Sequence, residues 1–215
     1  GLMVALGLGA VGINHLTAAW HEIEATLPPT PQLATLPVST VVVDRRGGVL
    51  RPFTTADGRW RLPVTMNQVD RRLIDMLVAY EDKRFFDNGG VDWTSMVRAA
   101  GQFVLAGGRI VSGGSTLTMQ VARLIEGAPT RALDGKIRQI VHAETLARTL
   151  DKTTLLELYL TLAPYGGNIE GVRAASLAYF GKEPLRLTNA EAALLVALPQ
   201  SPDARRPDRD PQAAR

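Results

Sequence analysis

The chain has 215 residues, 46% hydrophobic and 21% charged, a balance that excludes an intrinsically disordered chain and is sufficient for a buried core. The formal net charge of +3 is too small a basic excess to indicate a nucleic-acid-binding protein. Cysteine is absent, which excludes disulfides and thiolate metal sites, and the three histidines are too scattered to indicate a metal centre.

The N-terminal segment is apolar and then rich in proline. Residues 1–13 carry no charge but are shorter than the roughly 20 residues that span a bilayer. We interpret residues 1–20 as the outer end of a membrane anchor, with Trp20 near the interface; a signal-peptide core or a packed N-terminal helix is the alternative. Residues 21–38 are predicted to form a linker, extended through its prolines from 28 to 37.

A small β element is predicted next. Residues 39–43 and 49–53 flank the turn-forming Arg45–Gly48 and predict a hairpin, and residues 60–64 predict a short extended piece.

From Asn67 onward the apolar spacing is helical, so the predicted fold is mainly α with this small N-terminal β element. Six further helices are predicted: 93–105, 115–125, a long helix from about 133, 155–163, 171–180 and 192–198. Val97 and Ile137 are placed among the inward-facing positions.

Glu81 and Asp82 stand where the predicted helix that begins near Asn67 ends before a glycine turn. The negative end of the helix dipole and the adjacent carboxylate both favour proton uptake by Glu81, as a general base requires. The alternative is an exposed acidic pair balanced by Lys83 and Arg84.

Residues 113–116, Gly-Gly-Ser-Thr, begin another helix and are a candidate anion cradle. Glycines allow close approach of a ligand, and a helix start offers unpaired N–H groups to phosphate oxygens. An ordinary Ser/Thr N-cap is the alternative.

Basic residues follow the cradle on two neighbouring helices. Arg123 lies on the first, and Arg131, Lys136 and Arg138 cluster at the start of the second. Together they are predicted to face one anion. A solvated basic face is the alternative.

Five motifs in chain order resemble those of family 51 glycosyltransferases, the peptidoglycan transglycosylase domains of class A penicillin-binding proteins. The matching stretches are Glu81-Asp82-Lys83-Arg84-Phe85 with Gly90, residues 113–120, residues 136–139, residues 156–160 with 165–167, and residues 174–175 with 179–182. Residues 111–124, 135–139 and 199–202 are most similar to the C-type subgroup.

The resemblance implies a two-lobed, lysozyme-like fold whose substrates are lipid II and the growing glycan chain. Glu81 would be the base that activates the acceptor hydroxyl, supported by Asp82, and Gln139 would stabilise the reacting groups. The implied substrate-binding residues are Phe85, Asn88, Ser115, Thr116, Gln120, Arg123, Arg131, Lys136 and Arg138. No cofactor is required, although a divalent cation (Mg²⁺ or Mn²⁺) can assist with the pyrophosphate.

Five positions depart from the family pattern: Asn88 replaces a histidine, Gln139 a glutamate, Met119 a glutamine, and Leu124 and Thr161 each an asparagine; Gln139 and Leu124 are typical of the C-type subgroup. Because Asn and Gln cannot titrate, a lipid II-binding or assembly module with little turnover remains an alternative. A lysozyme-type glycan hydrolase is the other, since the fold is shared.

The resemblance also implies an organisation and a location. Residues 39–202 would form the glycosyltransferase domain, on the external side of the bacterial cytoplasmic membrane. Residues 203–215 would be a tail or the start of a link to a transpeptidase domain.

Overall fold

The protein is mainly helical, as predicted, with two small two-stranded sheets. The structure, a computed structural model, describes residues 15, 17–107, 114–127, 133–210 and 212. Within them the helices are α1 (17–25), α2 (Arg71–Glu81), α3 (Trp93–Leu105), α4 (Leu117–Glu126), α5 (Leu133–Thr149), α6 (Lys152–Leu162), α7 (Val172–Phe180) and α8 (Asn189–Ala197). Short 3-10 helices cover Leu33–Thr35, Met66–Gln68 and Leu198–Gln200.

The predicted hairpin is confirmed. Strand β1 (Thr40–Val43) pairs antiparallel with β2 (Val49–Phe53), with a register shift between Val42 and Val43. A second sheet was not predicted: β3 (Trp60–Arg61) lies parallel to β4 (Ile169–Glu170), and Arg61 donates to Glu170 across it. This sheet joins the front of the chain to the segment before α7.

The N-terminal helix packs on the body of the protein. Residues 21–25, placed in the predicted linker, are helical; Glu24 forms an ion pair with Arg148 of α5, and Arg138 donates to Thr26 at 2.7 Å. Residues 1–14 and 16 of the predicted anchor lie outside the described residues. Among the helices that are described, none is both long and apolar enough to span a membrane.

Two predicted core positions are wrong. Val97 is 72% exposed and Ile137 is 43% exposed. Neighbouring residues on a helix point about 100° apart, so the buried stripe of α3 that includes Met96 does not extend to Val97.

The start of α2 is fixed by one buried carboxylate. Asp70 accepts from the backbone N–H of Arg72 at 3.0 Å, which caps the helix, and from that of Leu187 at 2.8 Å. The Leu187 N–H, together with the Arg72 bonds, holds the pKa of Asp70 below its usual value. Asp70 therefore ties α2 to the segment that precedes α8.

Replacing Asp70 with alanine is expected to lower the free energy of unfolding by about 1–3 kcal/mol, because two backbone donors lose their acceptor. Since the pKa of Asp70 is lowered in the folded state, this contribution is present above the unfolded-state pKa and is lost as the pH falls through the folded-state value. Urea unfolding at several pH values measures it. Asp75→Ala on the exposed face of α2 is the control, and an equal loss there would contradict the account.

Candidate active site

The site begins where the end of α2 meets the start of α4. Glu81 is the last residue of α2 and Asp82 is its C-cap. The buried Asp82 carboxylate accepts the backbone N–H of Leu117, the first residue of α4, at 3.1 Å. Thr116, the N-cap of α4, accepts from Met119 at 3.1 Å and donates to the Gly90 carbonyl at 2.6 Å.

These bonds occupy two of the N–H groups at the start of α4, where the anion cradle was predicted. Leu117 gives its N–H to Asp82 and Met119 gives its N–H to Thr116, so neither is free for a phosphate oxygen. The anion held at this helix start is the Asp82 carboxylate itself. Thr116 is 2% exposed and acts as a cap, and Gly113 lies outside the described residues.

A series of hydrogen bonds through Asn88 links Asp82 to Lys152. Asn88 donates its amide to both Asp82 oxygens at 3.1 Å, and Lys152 donates to the carbonyl and side-chain oxygens of Asn88 at 2.7 and 3.1 Å. Burial raises the pKa of Asp82, against the opposing influence of the Leu117 N–H, Asn88 and the Lys152 charge. Lys152 was not predicted as a site residue, because its position at the start of α6 carries no local signal of a link to Asp82.

Phe85 lies in the turn that follows α2 and packs in the core. It has no exposed surface, and the Lys152 ammonium lies 4.5 Å from its ring centre. Its ring meets Phe86 edge to face at 5.2 Å. Phe85 therefore has no accessible surface for the predicted contact with a substrate. Its ring instead packs against Lys152 and helps to hold the turn in place.

Two glutamine amides bracket the half-buried Glu81. Gln120 of α4 donates to Oε2 at 2.8 Å, and Gln200 donates to Oε1 at 2.9 Å. Gln120 was predicted to bind substrate, and the structure places it on the glutamate. Gln200 was not predicted as a site residue, although it lies within the stretch 199–202 that carries the subgroup resemblance.

The Glu81 side chain lines a cleft of about 480 Å³ that is also lined by two basic side chains. The cleft is lined by Glu81, Ser115, Gln120, Arg123, Lys136, Pro164, Pro199, Pro202, Gln139 and Gln200. The predicted base thus shares one cleft with Arg123 and Lys136.

Neutral partners hold Lys136 in this cleft. Its ammonium donates to Ser115 Oγ at 2.8 Å and to Gln139 Oε1 at 2.9 Å, and Gln139 donates its own amide to the Met119 carbonyl at 2.6 Å. Burial lowers the pKa of Lys136, as does the nearby Arg123. Within the described part of the chain, neither Lys136 nor Arg123 forms an ion pair with a carboxylate. Their charges are available to an anionic ligand.

Arg138, the other predicted basic residue that the structure describes, does not line the cleft. Arg138 is bound to Glu126 at 2.5 Å and to both oxygens of Thr26 at 2.7 Å, so the structure does not bring it together with Arg123 and Lys136. Arg131 lies outside the described residues.

A second cavity of about 370 Å³ also reaches Glu81. It shares Glu81 and Ser115 with the cleft and is otherwise lined by Tyr80, Asp82, Lys83, Arg84, Asp92, Ser95, Arg98, Gly114 and Thr116. Arg84 forms an ion pair with Asp92 and holds its pKa far below the usual value. Glu81 therefore stands at the junction of two polar spaces.

The donor set of the cleft does not fit a resident divalent cation. Glu81 is its single acidic lining residue, and it lies beside two cations. Among the described residues, no three His, Asp or Glu side chains are grouped as metal ligands.

Comparisons with known proteins agree on one family. The family model described as "Transglycosylase" matches residues 47–215. Similar proteins include penicillin-binding protein 1C of Escherichia coli strain K12, 49% identical over 81% of this chain and 22% of the relative, and penicillin-binding protein 1F of Bacillus subtilis strain 168, 36% identical over 80% of this chain and 24% of the relative. The chain thus spans less than a quarter of the length of either relative.

A solved structure also resembles the chain. The crystal structure of penicillin-binding protein 1A from Haemophilus influenzae matches 83% of this chain and 16% of that one, with 20% identity and a TM-score of 0.40.

Replacing Lys152 with methionine is expected to raise the pKa of Asp82 further, because a cation that favours the carboxylate is lost. Titration of the Asp82 carboxyl carbon by NMR measures the shift. Lys83→Met is the control, since Lys83 is adjacent in sequence but exposed. An Asp82 titration that is unchanged in Lys152→Met would contradict the support described for Asp82.

Proposed function

The chain belongs to the transglycosylase family, and on that premise we propose that it polymerises lipid II into β-1,4-linked glycan strands with release of undecaprenyl pyrophosphate. The observation that carries the proposal is the shared cleft: Glu81 faces the same space as Arg123 and Lys136, two cations without a carboxylate partner among the described residues. Such a cleft suits a reaction that removes a proton at one point and develops phosphate charge at another.

In the proposed reaction, Glu81 accepts the proton of the acceptor sugar's 4-hydroxyl. The oxygen attacks the anomeric carbon of the lipid-linked chain as the bond from that carbon to the pyrophosphate breaks, which inverts the carbon. Lys136 and Arg123 stabilise the charge on the departing pyrophosphate. Both spaces reach Glu81 and Ser115, so donor and acceptor can each occupy one of them.

The surrounding residues hold these groups. Asp82 fixes the end of α2 against α4, and Gln139 orients Lys136 without neutralising it. Ser115 lines both spaces, and its hydroxyl can donate or accept a hydrogen bond from a substrate there. Gln139 therefore acts as a positioning residue, and proton transfer is left to Glu81.

The proposed partners are lipid II and the growing glycan chain, with catalysis at the external face of the cytoplasmic membrane. The unpaired cations favour this substrate over a finished glycan, because only the lipid-linked form carries a pyrophosphate.

Glu81→Gln is expected to reduce polymerisation of labelled lipid II by about 10²–10⁴-fold, since an amide cannot accept the hydroxyl proton. Gel analysis of the glycan products measures it, with Asp75→Asn as a surface control and thermal unfolding as a check of the fold. Undiminished polymerisation by Glu81→Gln would rule out the assigned role.

Arg123→Gln is expected to weaken transfer from the lipid-linked donor by about 10-fold or more, because one charge-assisted contact to the pyrophosphate is lost. Arg138→Gln is the matched control, since its guanidinium is bound to Glu126 and Thr26 outside the cleft. The measurement is kcat/KM for lipid II. A larger loss in Arg138→Gln than in Arg123→Gln would contradict the assignment of the pyrophosphate site.

A further inference from the structure

Gln200 is oriented so that its amide nitrogen points at Glu81. It ends the 3-10 helix Leu198–Gln200, and its Nε2 donates to Glu81 Oε1 at 2.9 Å. The hydroxyl of Tyr80 donates to Gln200 Oε1 at 3.4 Å, a long contact that is consistent with this amide orientation.

The segment 199–206, which we call the strap, is bound both to the turn that precedes α7 and to the end of α8. Asp203 accepts the backbone N–H of Gly167 at 2.9 Å, and Arg205 donates to the carbonyl of Ala197 at 3.1 Å. These contacts hold Asp203 and Arg205, which lie in the stretch 203–215 expected to be a tail or a link, against the domain.

The glycine turn under the strap leaves no room for a side chain. A Cβ on Gly166 would lie 2.7 Å from the carbonyl oxygen of Pro202, and one on Gly167 would lie 2.6 Å from Arg206 Nη1. Both glycines also have positive φ, at 105° and 58°. The turn therefore permits the close approach that seats the strap, and with it Gln200.

We infer that Gln200 is a positioning residue that acts on Glu81, and that the strap sets its position. The inference rests on the proposed function, in which Glu81 is the base. Two amide donors, one on each carboxylate oxygen, fix the orientation of Glu81 and stabilise its ionised, proton-accepting form.

The charged groups around Glu81 are the same in the wild type and in Gln200→Met, so they do not produce a difference between the two. The titratable and charged groups that line the two spaces or interact with Glu81 are Asp82, Lys83, Arg84 and Asp92, Arg98 of α3, Arg123 of α4, Lys136 of α5 and Tyr159 of α6.

The test is the pH dependence of kcat/KM for lipid II polymerisation in Gln200→Met. The acidic limb, where activity rises as the base ionises, is expected to move to higher pH by about one unit, because one hydrogen bond to the carboxylate is lost. Asp203→Ala, which unfastens the strap, is expected to move the limb in the same direction by less. Arg209→Gln, beyond the strap, is the control and is expected to leave the profile unchanged.

An acidic limb at the wild-type position in Gln200→Met, whatever the height of the plateau, would overturn the inference. If Gln200→Met fails to fold by thermal unfolding, Gln200→Leu is used, because it also lacks the amide donor and adds no charge. The limb is expected to move to higher pH as in Gln200→Met, and an unmoved limb would again overturn the inference. Activity retained by Glu81→Gln would instead overturn the proposed function. The two failures are therefore distinguishable.

Discussion

The hydrogen bond from the backbone N–H of Leu117 to the Asp82 carboxylate is the constraint on which the site depends. It joins the negative end of α2 to the positive end of α4, and it gives a buried anion the donor that it needs away from water. Glu81 precedes Asp82 and Gln120 lies on the first turns of α4, so this bond also sets the approach of the Gln120 amide to Glu81. Asn88 and Lys152 stabilise the same carboxylate from its other side.

The second feature is the half-buried Lys136, which has no carboxylate partner among the described residues, and Gln139 explains how it is held. Its amide donates to the Met119 carbonyl and its oxygen accepts from Lys136. An ionised glutamate at this position could not donate to that carbonyl, and it would neutralise Lys136. The neutral side chain therefore suits a cleft whose positive charge is reserved for a ligand, at a cost in stability that functional sites often carry.

Local chemistry made much of the fold predictable. The capping box of Thr188 and Glu191 marks α8, and the Asp151 cap marks α6. Contacts between distant segments were not predictable: pairing of Trp60 with Ile169 has no signal at either strand. In the site, motif and helix spacing predicted that Glu81, Arg123 and Lys136 are site residues. Those spacings place a residue on a helix but do not choose between competing partners. The contacts of Arg138 with Glu126 and of the α4 start with Asp82 were therefore not predicted.

The most direct test is a crystal structure of the chain bound to a lipid-linked pyrophosphate substrate analogue. Phosphate oxygens held by Lys136 and Arg123, with the anomeric carbon on the side of Glu81, are the predicted result. A pyrophosphate bound elsewhere, such as at the Arg98 side of the second cavity with the cleft empty, would contradict the account.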